Sequence, residues 1–148
     1  RSLIRGLVFE GFEKCLYPRL KFDSDAERRF AVLLEDDSSV EKWVRPPGGI
    51  PRIEYEGRPY EPDFIVQTAD GMFLCEVKAD GEMTDATVLA KADAAATWCA
   101  RASEHGRPAQ WKYLLIKESR IDSSRTFSSV ASEHLYRPRS QNRTATTG

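Results

Sequence analysis

The sequence predicts an α/β domain, a small mixed sheet flanked by helices. Two helix-forming segments with strong local signals bracket a group of short β segments. The central β segments, Tyr60 to Gln67 and Met72 to Lys78, read as a hairpin around Ala69-Asp70-Gly71. A further β-branched and aromatic segment, Trp111 to Ile116, follows the second helix. The outline is α-β-β-β-α-β, with the strands pooled into one sheet.

The first helix opens at Phe22-Asp23-Ser24-Asp25-Ala26-Glu27. Ser24 is a good N-cap, and Glu27 follows three residues later as in a capping box. Phe30, Leu33 and Leu34 carry the apolar face to about Glu35. Upstream, Ser2 to Cys15 lacks a clear cap and reads as a short helix or a tether. Val40 to Arg45 is a strand ended by Pro46-Pro47-Gly48-Gly49. Ile50 to Glu56 alternates and stops at Gly57-Arg58. The second helix starts at Glu82-Met83-Thr84-Asp85 and runs to about Ala102, through an Ala-rich stretch that favours helix. Val88, Ala92, Ala95 and Cys99 form its apolar stripe. Gly106-Arg107-Pro108 then breaks the chain. Phe127 to Tyr136 reads as a short helix. Residues Arg137 to Gly148 are nearly devoid of apolar side chains and read as disordered or a linker. The expected division is therefore a tether or extension over 1–21, the main domain over 22–118 and a C-terminal extension over 119–148.

Composition narrows the class. With 148 residues, 41% hydrophobic and 30% charged, the chain is long enough for one domain with a core of its own. No apolar run reaches membrane-spanning length, and no signal peptide is visible. The three cysteines, Cys15, Cys75 and Cys99, show no C-x-x-C spacing. They read as reduced thiols, consistent with a cytoplasmic setting. The chain starts at Arg1 without a methionine, as a piece of a longer polypeptide would.

One place joins residue type, spacing and expected geometry. Alternation puts Glu76 and Lys78 on one face of their strand. With Asp70-Gly71 as the turn, Asp63 pairs with Lys78. With Ala69-Asp70 as the turn, it pairs with Glu76. Both registers place Asp63, Glu76 and Lys78 on the same face, with Phe64, Val66, Phe73, Cys75 and Val77 on the other as core. Two carboxylates of this kind suit Mg²⁺, and a lysine suits an attacking or developing oxyanion. The plain structural alternative is a cross-strand ion pair on an exposed sheet.

These residues resemble a known family. Pro62-Asp63 followed by Glu76-Val77-Lys78, after a Glu-bearing helix, is similar to the PD-(D/E)XK nuclease superfamily. More narrowly, residues 22–116 resemble the C-terminal endonuclease domain of the type III restriction enzyme Res subunit. The stretches carrying this are Phe22-Asp23-Ser24-Asp25-Ala26-Glu27, Trp43, Tyr60-Glu61-Pro62-Asp63-Phe64 and Cys75-Glu76-Val77-Lys78. Lys91, Ala94-Ala95, Trp98-Cys99 and Trp111-Lys112-Tyr113 add to it.

The resemblance implies a restriction-endonuclease-like fold and Mg²⁺-dependent hydrolysis of double-stranded DNA, one strand per active site, with Mn²⁺ able to substitute. Asp63 and Glu76 would bind the metal, with the Val77 backbone carbonyl as a further ligand. Lys78 would position the water or stabilise the charged phosphoryl group. Glu27 has two readings: a metal or water ligand, or a simple capping box. Lys91 has two as well: a phosphate contact, or a solvated lysine near Thr87 or Asp85. Implied partners are an ATP-dependent helicase-like motor in the same polypeptide and a Mod recognition subunit; ATP would serve the motor only. The net charge of −1 fits a domain that relies on others to hold DNA, because an independent DNA binder is usually basic. Two rivals share the fold: a degenerate docking module on a helicase, and a DNA-repair nuclease. Trp43, Trp98 and Trp111 read as core before base-stacking residues. His105 and His134 read as exposed side chains without partners, and Arg137, Arg139 and Arg143 as a small basic tail.

Overall fold

The computed structural model describes residues 2–17, 19–46, 48, 51–105 and 109–139. The chain begins with α1 (Ser2–Gly6), β1 (Phe9–Glu10) and β2 (Arg19–Leu20), then α2 (Asp25–Asp36) and β3 (Val40–Val44). A hairpin, β4 (Ile53–Tyr55) and β5 (Arg58–Tyr60), precedes β6 (Phe64–Thr68) and β7 (Gly71–Lys78). Next come α3 (Ala86–His105), β8 (Trp111–Lys117) and α4 (Phe127–His134). The main sheet has four strands in the order β3-β6-β7-β8. Its first two pairings are antiparallel, and β7 pairs with β8 in parallel across the α3 connection. The sheet is therefore mixed. Taken with α2 and α3, it follows the expected α-β-β-β-α-β order.

Alternation along the strands makes two cores. Phe64, Val66, Cys75, Val77, Leu114 and Ile116 face α2 and α4, where Phe30, Leu34, Phe127 and Val130 close over them. Leu74, Tyr113 and Leu115 face the other way and meet Val88, Ala92 and Ala95 of α3 with Ile53 and Tyr60 of the small hairpin. The alanines of α3 serve twice: they favour helix and let it lie close on the sheet.

The hairpin register decides between the two turns the sequence allowed. Thr68 pairs with Gly71 and Phe64 with Cys75, so the turn is Ala69-Asp70 and Asp63 lies opposite Glu76. Gly71 explains the choice. Its φ is +141°, and a Cβ there would stand 2.4 Å from the Gln110 carbonyl oxygen. Met72 N–H donates to that same carbonyl at 2.8 Å.

Several expectations change. The segment Tyr60 to Gln67 is not one strand. It divides at Glu61-Pro62-Asp63, so Tyr60 closes the small hairpin and Phe64 opens β6. Pro62 has no N–H to give the ladder. The strand expected from Ile50 is only Ile53–Tyr55; it pairs with β5 outside the main sheet, through a turn in which Glu56 (φ 49°) and Gly57 (φ 73°) both take positive φ. Ile50 itself, with Pro47 and Gly49, lies outside the described residues. A short 3₁₀ turn, Asp80–Glu82, precedes α3. Asp85 then accepts from Thr87 N–H at 3.3 Å, and the helix continues past Ala102 to His105. The expected break at 106–108 is outside the described residues.

The two extensions pack on the domain. Phe9 and Phe12 lie against Phe22, and Phe12 meets Trp43 edge-on at 5.2 Å. Ile121, Phe127 and Val130 sit in the first core. His134 is buried, not exposed, with Nδ1 2.9 Å from the Val130 carbonyl. Arg139 pairs with Asp93 at 2.8 Å; Arg143 and the expected tail over 140–148 lie outside the described residues. Trp43 is buried, and Trp98 packs edge-on against Trp111 at 5.0 Å. The three cysteines are free thiols. Among the described residues no helix is long and apolar enough to cross a membrane.

Candidate active site

Asp63 sits in the break between the small hairpin and β6, where Pro62 has released the chain from the ladder. Its carboxylate turns across to β7 and accepts the Val77 N–H at 2.8 Å. In an extended strand the N–H and C=O of one residue point the same way. The Val77 carbonyl therefore also faces the Asp63 side. Glu76 is buried, opposite Asp63 in register. Tyr60 Oη donates to its Oε1 at 2.7 Å, and Lys78 Nζ stands 3.7 Å from its Oε2. Tyr60 Oη is in turn 2.8 Å from Tyr113 Oη.

Glu27 reaches the same place from the first turn of α2. Its N–H donates to Ser24 Oγ at 3.2 Å, while its Oε1 accepts the Asp23 N–H at 3.0 Å. The capping box expected from the sequence is present, displaced by one residue at its second bond. Arg45, just past β3, brings Nη1 to 2.7 Å from Glu27 Oε1. Lys91 on α3 lies over the rings of Tyr55 and Tyr60, 5.4 and 5.6 Å from their centroids. It packs on aromatic faces beside the acidic cluster.

The acidic groups perturb one another. Asp63 is half-buried by surface area, and neighbouring protein atoms desolvate its carboxyl. Its carboxyl is pushed well above the usual range, first by this desolvation and then by the charges of Glu76 and Glu27. The Val77 N–H and Arg45 oppose the shift. Burial also raises Glu76, against the Tyr60 hydrogen bond and the charges of Lys78 and Lys91, with Glu27 raising it further. The hydroxyls of Tyr60 and Tyr113 are likewise pushed up, mainly by burial.

The donors that converge are hard oxygens: two carboxylates and a main-chain carbonyl turned the same way. Oxygen donors of this kind suit hard divalent cations in general. Among the described residues no three Asp, Glu, His or Cys side chains are gathered to hold a metal by themselves. Glu27 is occupied by its cap and by Arg45, so the side-chain donors reduce to Asp63 and Glu76.

The structure thus brings together Asp63, Glu76, the Val77 main chain and Lys78, with Glu27 and Lys91 at the margin. Sequence reading missed Tyr60, Tyr113 and Arg45. Tyr60 adjoins the Glu61-Pro62-Asp63 segment, but only the break at Pro62 turns its hydroxyl onto Glu76. Tyr113 and Arg45 carry no local signal, since each meets the site only through tertiary packing. The chain matches no protein-family model, and no curated protein matches it.

Proposed function

We propose that this chain is a Mg²⁺-dependent DNA endonuclease domain of the PD-(D/E)XK type, related in role to the C-terminal nuclease domain of type III restriction enzymes. The observation that carries the reading is Asp63, one residue before the Phe64–Cys75 pair and so opposite Glu76, with Lys78 two residues on, in the mixed sheet β3-β6-β7-β8. The resemblance over residues 22–116 supplies the substrate class. Double-stranded DNA is the substrate; sequence choice and DNA grip come from a motor in the same polypeptide and a Mod subunit. ATP belongs to that motor.

Asp63, Glu76 and the Val77 carbonyl hold the ion. When bound, Mg²⁺ supplies charge neutralisation at the phosphoryl oxygens and a water of lowered pKa. Lys78 projects from the end of β7 on the same face, where its ammonium holds the water or meets charge developing on the phosphate. Tyr60 keeps Glu76 from rotating. Lys91 contributes a positive charge beside the recess, suited to a neighbouring phosphate.

The test is Mn²⁺ and Mg²⁺ binding by calorimetry near neutral pH, on the wild-type chain, Asp63→Ala and Lys78→Ala, with and without a DNA duplex. Asp63→Ala is expected to abolish binding. Lys78→Ala is expected to keep it while abolishing nicking of supercoiled plasmid in the assembled enzyme. A wild-type chain that takes up neither ion in either condition would sink the reading and leave a docking module of the same fold.

A further inference from the structure

Three carboxylates, Asp63, Glu76 and Glu27, act on one another at the site, and among the described residues only Glu27 is closely paired with an arginine. The third, Glu27, is buried and has been met by a cation from the protein itself. Arg45 leaves the end of β3 with its side chain 17% exposed. Its guanidinium lies beside the stacked rings of Phe22 and Phe64, 5.4 and 5.2 Å from their centroids. Nη1 is 2.7 Å from Glu27 Oε1, and Nη2 is 3.6 Å from Asp23 Oδ2. The Nη1 approach is off-line for a hydrogen bond, and that buried nitrogen has no hydrogen-bond partner among the described residues. It holds Glu27 by charge.

We infer that Arg45 is the site's resident second cation: it neutralises Glu27, so the recess takes one divalent ion, on Asp63 and Glu76, and Glu27 is not a ligand. The inference rests on the nuclease reading above. Glu27 Oε1 already receives both the Asp23 N–H and the guanidinium. An ion drawing Glu27 away would leave a largely buried guanidinium against two phenyl rings without its closest counter-charge, which is costly in a desolvated place. The rings also restrict where the guanidinium can go. Arg45 acts on Asp63 as well, opposing the push from Glu76 and Glu27. Arg45 is therefore a positioning residue: it sets how many ions the recess accepts and which carboxylates receive them.

The experiment is Mn²⁺ titration of the whole chain, reading free Mn²⁺ by electron paramagnetic resonance alongside thermal unfolding. The wild type is expected to bind one Mn²⁺ per chain. Glu27→Gln is expected to bind one, with affinity changed by less than about threefold. Arg45→Gln is expected to gain a second, weaker Mn²⁺ through the released Glu27. Should Arg45→Gln fold poorly, the pair Glu27→Gln with Arg45→Met removes both charges together and is expected to fold and to bind one ion. Two ions on the wild type, or a tenfold or greater loss of affinity in Glu27→Gln, overturns the inference and leaves the nuclease reading standing. No ion on the wild type, with Asp63→Ala indistinguishable from it, overturns both.

Discussion

Tyr60 Oη donates to Glu76 Oε1 at 2.7 Å while resting 2.8 Å from Tyr113 Oη. A buried carboxylate is thereby held by a neutral donor on one oxygen, and its other oxygen is left toward Lys78 at 3.7 Å. Removing the Tyr60 hydroxyl leaves Glu76 and the Tyr113 hydroxyl short of a partner. Tyr60→Phe is expected to cost about 1–3 kcal/mol in urea unfolding, the range for orphaning a buried polar group. It should also weaken Mn²⁺ binding on the order of tenfold, as loss of a ligand's supporting hydrogen bond commonly does. Equal binding in the two proteins would show that Glu76 does not depend on Tyr60.

Asp63 should carry a stability cost when no metal is bound. Its carboxyl sits beside Glu76 and Glu27, and burial and both charges oppose its ionisation. Asp63→Asn keeps the shape and an oxygen for the Val77 N–H. It is expected to stabilise the metal-free chain by about 1 kcal/mol, in line with neutralising a functional-site charge. The same variant should gain nothing from added Mn²⁺, whereas the wild type should gain in melting temperature. An unchanged or lowered melting point for metal-free Asp63→Asn would contradict this electrostatic picture.

Gly71 should tolerate no side chain. It combines φ of +141° with a Cβ position 2.4 Å from the Gln110 carbonyl oxygen. The obstacle is backbone, so it cannot swing aside as a side chain would. Gly71→Ala is expected to cost about 1–3 kcal/mol, the usual scale of backbone strain in a forbidden region. It should also reduce metal binding, because a slipped hairpin moves Asp63 out of register with Glu76. Hydrogen exchange at the Val77 amide, which donates to Asp63, reports that slip directly.

Acid stability should depend on the bridge that ties α4 to the preceding turn. Arg120 and Arg125 hold the Glu133 carboxyl down to about 2, against an ordinary value of 4.5. The folded state then binds fewer protons than the unfolded chain between those two values. Glu133 contributes its stabilisation fully above about pH 4.5 and loses it as pH falls toward 2. Glu133→Gln is expected to flatten that part of the melting-temperature profile. Because the pair is exposed, 1 M salt should flatten it in the wild type too. A wild-type acid limb that ignores both changes would remove Glu133 from the account.

Much of the main-sheet core was legible because its signals are local. Ser24 and Glu27 announced α2, and the alternation of Phe64, Val66, Cys75 and Val77 marked one sheet face. Parity alone put Asp63, Glu76 and Lys78 on the other face, whichever turn was used. What failed to read was discontinuity. Tyr60 and Phe64 have the spacing of one strand, yet Pro62 sends them to different sheets. His134 looks exposed by composition but is buried because α4 docks on the first core. The packing of Phe9 and Phe12 likewise follows from their neighbours, not from any pattern in residues 2–15.

By itself, then, the sequence determined the helix caps, the faces of the central hairpin and the residue types available for chemistry, since each depends on contacts within a few positions along the chain. The tertiary structure decided the rest. It chose the Ala69-Asp70 turn, because Gly71 must lie against Gln110 just before β8, and so set Asp63 opposite Glu76. It brought Glu27 from α2, Arg45 from the end of β3 and Lys91 from α3 to one recess. It also turned Tyr60 and Tyr113 inward. Those placements depend on which surfaces bury together across the sheet, and burial of that kind joins residues whose separation in the chain leaves no local trace.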